Sequence, residues 1–265
     1  RALYAGVLAA VATSVVGTWV VIRGMTFLGD ALVHGVVPGI ALAVLLDFNP
    51  ALGAAIAAVV MIGGVSLVHR QTTFSEDVGI GLLFVGMLGL GVILVSRASS
   101  FTGSLTAILF GDALGVTAAD VAVGAVVAAV VVVGSVLFYR HFLVLAFNEQ
   151  KAQLLGLHPG IAHAVLLGLL TIAIVGSYST VGTLLVFGLL VGPPATAVLV
   201  ARRVPFIMLT AAAMGGASVA VGLVISYHAS TSGSATMAVV PVAVFFAVLA
   251  AKTLFRRRSR PTTEA

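Results

Sequence analysis

Residues 24–46 read GMTFLGDALVHGVVPGIALAVLL, an apolar run interrupted by one carboxylate, Asp30, and one imidazole, His34. About 20 apolar residues in helical form cross about 30 Å of hydrocarbon, so the run is expected to be a membrane-crossing helix. On a helix, positions i and i+4 lie on one face about one turn apart, and both side chains can address the same point. A carboxylate oxygen with an imidazole nitrogen is a donor set for a borderline divalent ion such as zinc or manganese. The competing reading is structural, with Asp30 accepting hydrogen bonds from neighbouring groups and His34 serving as a neutral partner inside a bundle.

The same character extends through the chain. Of its 265 residues 61% are hydrophobic and 8% charged, against about a quarter charged in soluble domains, so it cannot cover itself with a water-facing surface. It reads as an all-α integral membrane protein, and the absence of alternating ten-residue strands excludes an outer-membrane barrel. The formal net charge of +5 sits at span ends, where it reports orientation rather than a nucleic-acid partner. With no cysteine, any metal must be held by His, Asp, Glu or backbone oxygen. Because the chain begins at Arg1 rather than Met, it is expected to lack its natural start, and no cleaved signal peptide is read from it.

Hydropathy marks about nine spans, near 3–22, 28–46, 51–68, 78–95, 121–138, 161–177, 181–200, 206–227 and 235–254, in a single domain over 1–265. Asn49-Pro50 is a breaker between the second and third. Gly79, Gly81, Gly86, Gly89 and Gly91 in the fourth suggest close helix packing first and a flexible gate second. Residues 97–120 are too polar to span and could hold a short membrane-dipping helix. The seventh span carries Gly188, Gly192, Pro193 and Pro194 and is expected to kink near its middle or end. Basic stretches at 140–151, 202–203 and 256–260 fall inside together, which turns 178–180, 228–234 and the N-terminus outward.

Nothing reads GxxxxGK[ST], HExxH or GxSxG, so the chain has no such ATP site of its own and little support as an enzyme. Residues 148–157 mix Asn, Glu, Gln and Lys with Ala152, Leu154 and Leu155, which suits either an amphipathic helix lying on a cytoplasmic partner or an ordinary solvated loop helix. His228 is expected in an outward loop, where it could meet an incoming ion, although a loop histidine is ordinarily just solvated. His163 is expected inside the sixth span, and His69, His141 and His158 on the cytoplasmic side.

Four motifs in order then resemble one family, the membrane permeases of the manganese/zinc/iron class of ATP-binding-cassette importers, the ABC-3 or metal-chelate type. They are FLGDALVHGVVPGIALA from Phe27, LFGDALGVTAAD from Leu109, FNEQKAQLLGL from Phe147 and VGTLLVFGLLVGPPATA from Val181. The resemblance covers nearly the whole chain. It implies a polytopic bundle of about 8–9 transmembrane helices in the bacterial cytoplasmic membrane, with Asp30 and His34 lining the path and binding the metal. It also implies a cytoplasmic ATPase-docking helix at about 146–158, with Asn148, Glu149, Lys151 and Gly156 in the coupling segment. The implied partners are a second copy of the permease, cytoplasmic ATP-binding subunits, an extracytoplasmic metal-binding protein and membrane lipid, with no nucleic acid. The chain then has no catalytic residue and no permanently bound cofactor, and the metal ion is cargo. Two copies would bring four ligands together where one copy has two. The wording of the first motif and of the GTLLVFGLL helix leans to zinc, with manganese next. The alternative from another class is a proton-coupled secondary metal carrier using Asp30 and His34 as a relay.

Overall fold

The computed structural model describes residues 1–73, 76–96, 111, 115–147 and 159–258. Its helices are α1 (Ala2–Ile22), α2 (Thr26–Gly35), α3 (Val37–Leu45), α4 (Pro50–Gln71), α5 (Glu76–Ser96), α6 (Ala118–Leu137), α7 (Tyr139–Phe147), α8 (Pro159–Val200), α9 (Val204–Ala229) and α10 (Gly233–Arg258). Among the described residues nine helical stretches are long and apolar enough to cross a membrane, with α2 and α3 forming one and α8 two. The protein is an all-α, multi-pass membrane bundle. The expected docking helix at 146–158 and the membrane-dipping stretch at 97–120 lie largely outside the described residues, as do Asn148, Glu149, Lys151 and Gly156.

Local chemistry explains the helix starts. Asn49 caps α4 by accepting from the Ala51 N–H at 2.8 Å, and Pro50 fills the first turn, where a missing N–H costs nothing. α6 opens with a capping box: Asp120 N–H donates to Thr117 Oγ1 at 3.2 Å, and Thr117 N–H donates to Asp120 Oδ2 at 2.9 Å.

Among the described residues one span is interrupted, and one helical stretch is divided into two spans. The second span divides at Val36, because Pro38 lacks the N–H that would bond the His34 carbonyl and its ring crowds that turn. The other break is the corner expected at 178–180, between the sixth span and the seventh span. The non-helical residue of α8 is Gly182 (φ 77°, ψ 159°), at the start of that span, while Pro193 and Pro194 lie inside continuous helix. Neighbours absorb the prolines. The Leu189 carbonyl, orphaned by Pro193, accepts from Ser14 Oγ at 3.4 Å. The Leu190 carbonyl, orphaned by Pro194, faces Gly17, where any Cβ would collide with it. Buried carbonyls in a membrane need such substitutes, and α1 supplies one to Leu189 and packs its Gly17 directly on Leu190.

We call the parts of α8 before and after Gly182 α8a and α8b. Contact registers fix the directions. Gly6 of α1 meets Val219 while Ser14 meets Gly215, so α1 and α9 are antiparallel. Ser14 and Gly17 meet Leu189 and Pro194, so α1 and α8b run together, and α10 joins them because Gly188 meets Ala238 and Gly192 meets Pro241. Gly134 and Val127 of α6 meet Leu169 and Gly176, so α8a runs opposite to α6. Leu8 near Gly124 and Trp19 near Tyr139 align α6 with α1. The chain therefore reverses at Gly182, and Arg23, Arg140, Arg202, Arg203 and Lys252 fall at one end of the bundle. That end is cytoplasmic by the positive-inside rule.

The core lies along α1 and α8. At its cytoplasmic end Trp19, fully buried, packs edge-on against Tyr139 (5.6 Å) and Phe142 (5.4 Å). These rings belong to α7, a helix that the polar residues Arg140 and His141 hide from a hydropathy scan and that its buried Phe142 ties to the bundle.

Candidate functional site

α2 positions Asp30 and His34. It begins at the cytoplasmic end, and His34 stands eight residues into it, ~12 Å along the axis, near the middle of a hydrocarbon layer about 30 Å thick. One side of α2 is built for close contact. A Cβ on Gly29 would lie 2.9 Å from Leu190 Cδ2 of α8b, and one on Gly35 would collide with Met61 Sδ of α4. Leu28, Leu32 and Val33 complete that buried side. Asp30 and His34 lie on the other side, one turn apart.

His34 Nε2 stands 3.5 Å from Asp30 Oδ1, with the two side chains 23% and 28% exposed. Charge-assisted hydrogen bonds are shorter, about 2.7–2.9 Å, so each group keeps lone-pair capacity for a third body between them. Phe84 of α5 meets the His34 ring edge-on at 6.0 Å and the Phe27 ring at 6.4 Å, an aromatic wall beside the pair. No hydropathy signal distinguishes Phe84 from the rest of its span, so sequence reading missed it. Among the described residues no group of three or more His, Cys, Asp or Glu comes together. One copy thus offers two side-chain ligands, short of the usual four of a zinc site.

Three other histidines lie apart from the pair. His163 Nδ1 accepts from Arg23 Nη1 at 3.1 Å, tying α8a to the end of α1. His228 belongs to the last turn of α9 rather than to a loop; its Nδ1 donates to the Val224 carbonyl at 2.9 Å and its ring lies edge-on to Tyr227. His141 Nδ1 is buried without a hydrogen-bond partner. Gly79, Gly81 and Gly91 of α5 abut Val68, Phe27 and Val37 as packing glycines, whereas Gly86 and Gly89 face open space. Gly111, of the LFGD motif, backs directly onto Val181 and Gly182.

A multi-pass bundle with an interrupted span and an ionisable pair at mid-membrane is the architecture of a membrane transport permease. The sequence matches the family described as the ABC 3 transport family over residues 1–252. The chain belongs to that family. It is similar to the manganese transport system membrane protein MntC of Listeria monocytogenes, 34% identical over 246 residues that cover 93% of this chain and 88% of the relative. The protein of Haemophilus influenzae named "Probable iron transport system membrane protein" is 31% identical over 250 residues, covering 94% and 92%. The solved structure of PsaBC from Streptococcus pneumoniae in complex with Fab superposes with a TM-score of 0.86 at 27% identity, covering 94% of this chain and 89% of that one. The chain is accordingly a permease subunit of the bacterial cytoplasmic membrane, and ATP hydrolysis belongs to a separate subunit.

Proposed function

We propose that this permease imports a divalent transition metal, with Asp30 and His34 as the ligands that replace part of the ion's hydration shell midway across. The observation that carries the reading is the pair itself, two metal-competent side chains 3.5 Å apart at mid-membrane with no third His, Cys, Asp or Glu grouped with them among the described residues. That shortfall favours a homodimer whose two pairs face one another across a two-fold axis. Manganese is the first candidate, because the relatives are named for manganese and iron systems. Zinc, towards which the sequence wording leans, comes next, and histidine with carboxylate accepts either. Delivery falls to an extracytoplasmic metal-binding protein and the driving force to cytoplasmic ATP-binding subunits docked on residues 148–157. Release into the cytoplasm requires that two partial sites hold the ion weakly.

The test is radiolabelled manganese and zinc uptake into proteoliposomes holding the permease with its ATP-binding subunits. ATP-dependent uptake that falls to background in Asp30→Ala and in His34→Ala, with assembly intact, is the expected result. Normal uptake by both variants removes the pair from the path. Uptake indifferent to ATP but abolished by a protonophore makes the protein a proton-coupled carrier.

A further inference from the structure

Away from Asp30 and His34, α8b and α10 run side by side and enclose a groove of about 500 Å³, within the range of small-ligand sites. Its walls are apolar, formed by Phe187, Val191 and Ala195 on one helix and Ala238, Val242 and Phe245 on the other. Val239, at its rim, is 64% exposed, so the groove opens laterally into the hydrocarbon. Continuing two turns towards the cytoplasm, ~10 Å, the same helices end in cations. Lys252 follows Phe245 by seven residues and donates to the Leu199 carbonyl, bridging the two helices just below the groove. Arg202 and Arg203, both exposed, follow the end of α8b. From Pro159 to Thr263 the sequence contains no Asp or Glu, so these helices bring no carboxylate of their own to balance that charge.

We propose that this groove is a binding site for an anionic phospholipid of the cytoplasmic leaflet, its acyl chain lying between α8b and α10 and its phosphate among Arg202, Arg203 and Lys252. Basic pockets between transmembrane helices on the cytoplasmic side are where anionic headgroups bind, and an apolar slot above the cations accepts the chain that such a headgroup carries. A zwitterionic lipid of the same chains gains the slot but less from the cations. The bound lipid holds α10 against α8b beside their close contacts at small residues, Gly188 on Ala238 and Gly192 on Pro241.

Native mass spectrometry of the full chain in neutral detergent tests this, with phosphatidylglycerol or phosphatidylcholine of identical acyl chains added. Preferential retention of phosphatidylglycerol is expected, falling about fivefold for each of Arg202→Gln and Arg203→Gln. Ala195→Phe, which fills the slot, is expected to reduce retention of both lipids, and Val239→Trp does the same from the exposed rim without disturbing the core. Equal retention of the two lipids by the native chain overturns the headgroup assignment. Undiminished retention in both Ala195→Phe and Val239→Trp overturns the groove. Loss of a dimer in those variants with lipid retention unchanged gives the groove to a second copy of the chain.

Discussion

Two places where helical continuity fails, Val36 and Gly182, differ in kind. At Val36 the backbone stays in the right-handed helical region (φ −79°, ψ −16°), and the break is a missing hydrogen bond. The span therefore continues across the membrane: Gly35 and Gly39 both pack on α4, against Met61 and Gly53. At Gly182 the dihedrals leave the range open to L-residues, and the chain doubles back without a loop. A proline thus loosens a helix one turn after His34 and keeps its course, whereas a glycine turns a 42-residue helical stretch into two antiparallel spans. The first break leaves the span a softened joint, and the second makes a fixed corner.

The strongest way to sharpen this contrast is Gly182→Val. A β-branched residue at φ 77° is expected to cost about 3 kcal/mol, and Gly182→Ala about 1–2 kcal/mol, read as lowered unfolding midpoints of the purified permease. Ser14→Ala comes next. It removes the donor to the Leu189 carbonyl and should destabilise by about 1 kcal/mol, since interhelical hydrogen bonds in membranes are worth about that. If it instead bends α8b at Pro193, seen as altered cross-linking between α8b and α10, the absorbed prolines become a third hinge. The smallest effect on stability belongs to Pro38→Ala, within about 1 kcal/mol of the native chain, because the backbone there is already helical. Its expected effect is on turnover, with slower uptake from a stiffened α2–α3. Unfolding midpoints that fall equally in Pro38→Ala and Gly182→Ala would erase the distinction.

Much of this was legible beforehand, and the limits have physical causes. Span count and direction follow from composition, because hydrocarbon demands long apolar helices and the cytoplasmic face collects arginine. The Asp30–His34 pair stood out because ionisable groups are rare in such a setting. Pro193 and Pro194 misled, since a membrane helix can continue through a proline where a neighbour takes up the freed carbonyl, and Ser14, the donor to Leu189, lies 175 residues away in sequence. α7 went unseen because Arg140 and His141 mask a helix held by Phe142 on Trp19.

The sequence by itself determined that the chain spans a membrane, which end faces the cytoplasm and that Asp30 and His34 share one helix face, because these depend on local composition and on the i, i+4 geometry of a helix. Only the tertiary structure decided that Gly182 is the residue making the turn expected at 178–180, that Phe84 walls the pair and that no third ligand joins it among the described residues. Those outcomes depend on which helices meet. Among thirty glycines nothing local marks the one whose dihedrals the packing forces out of the helix.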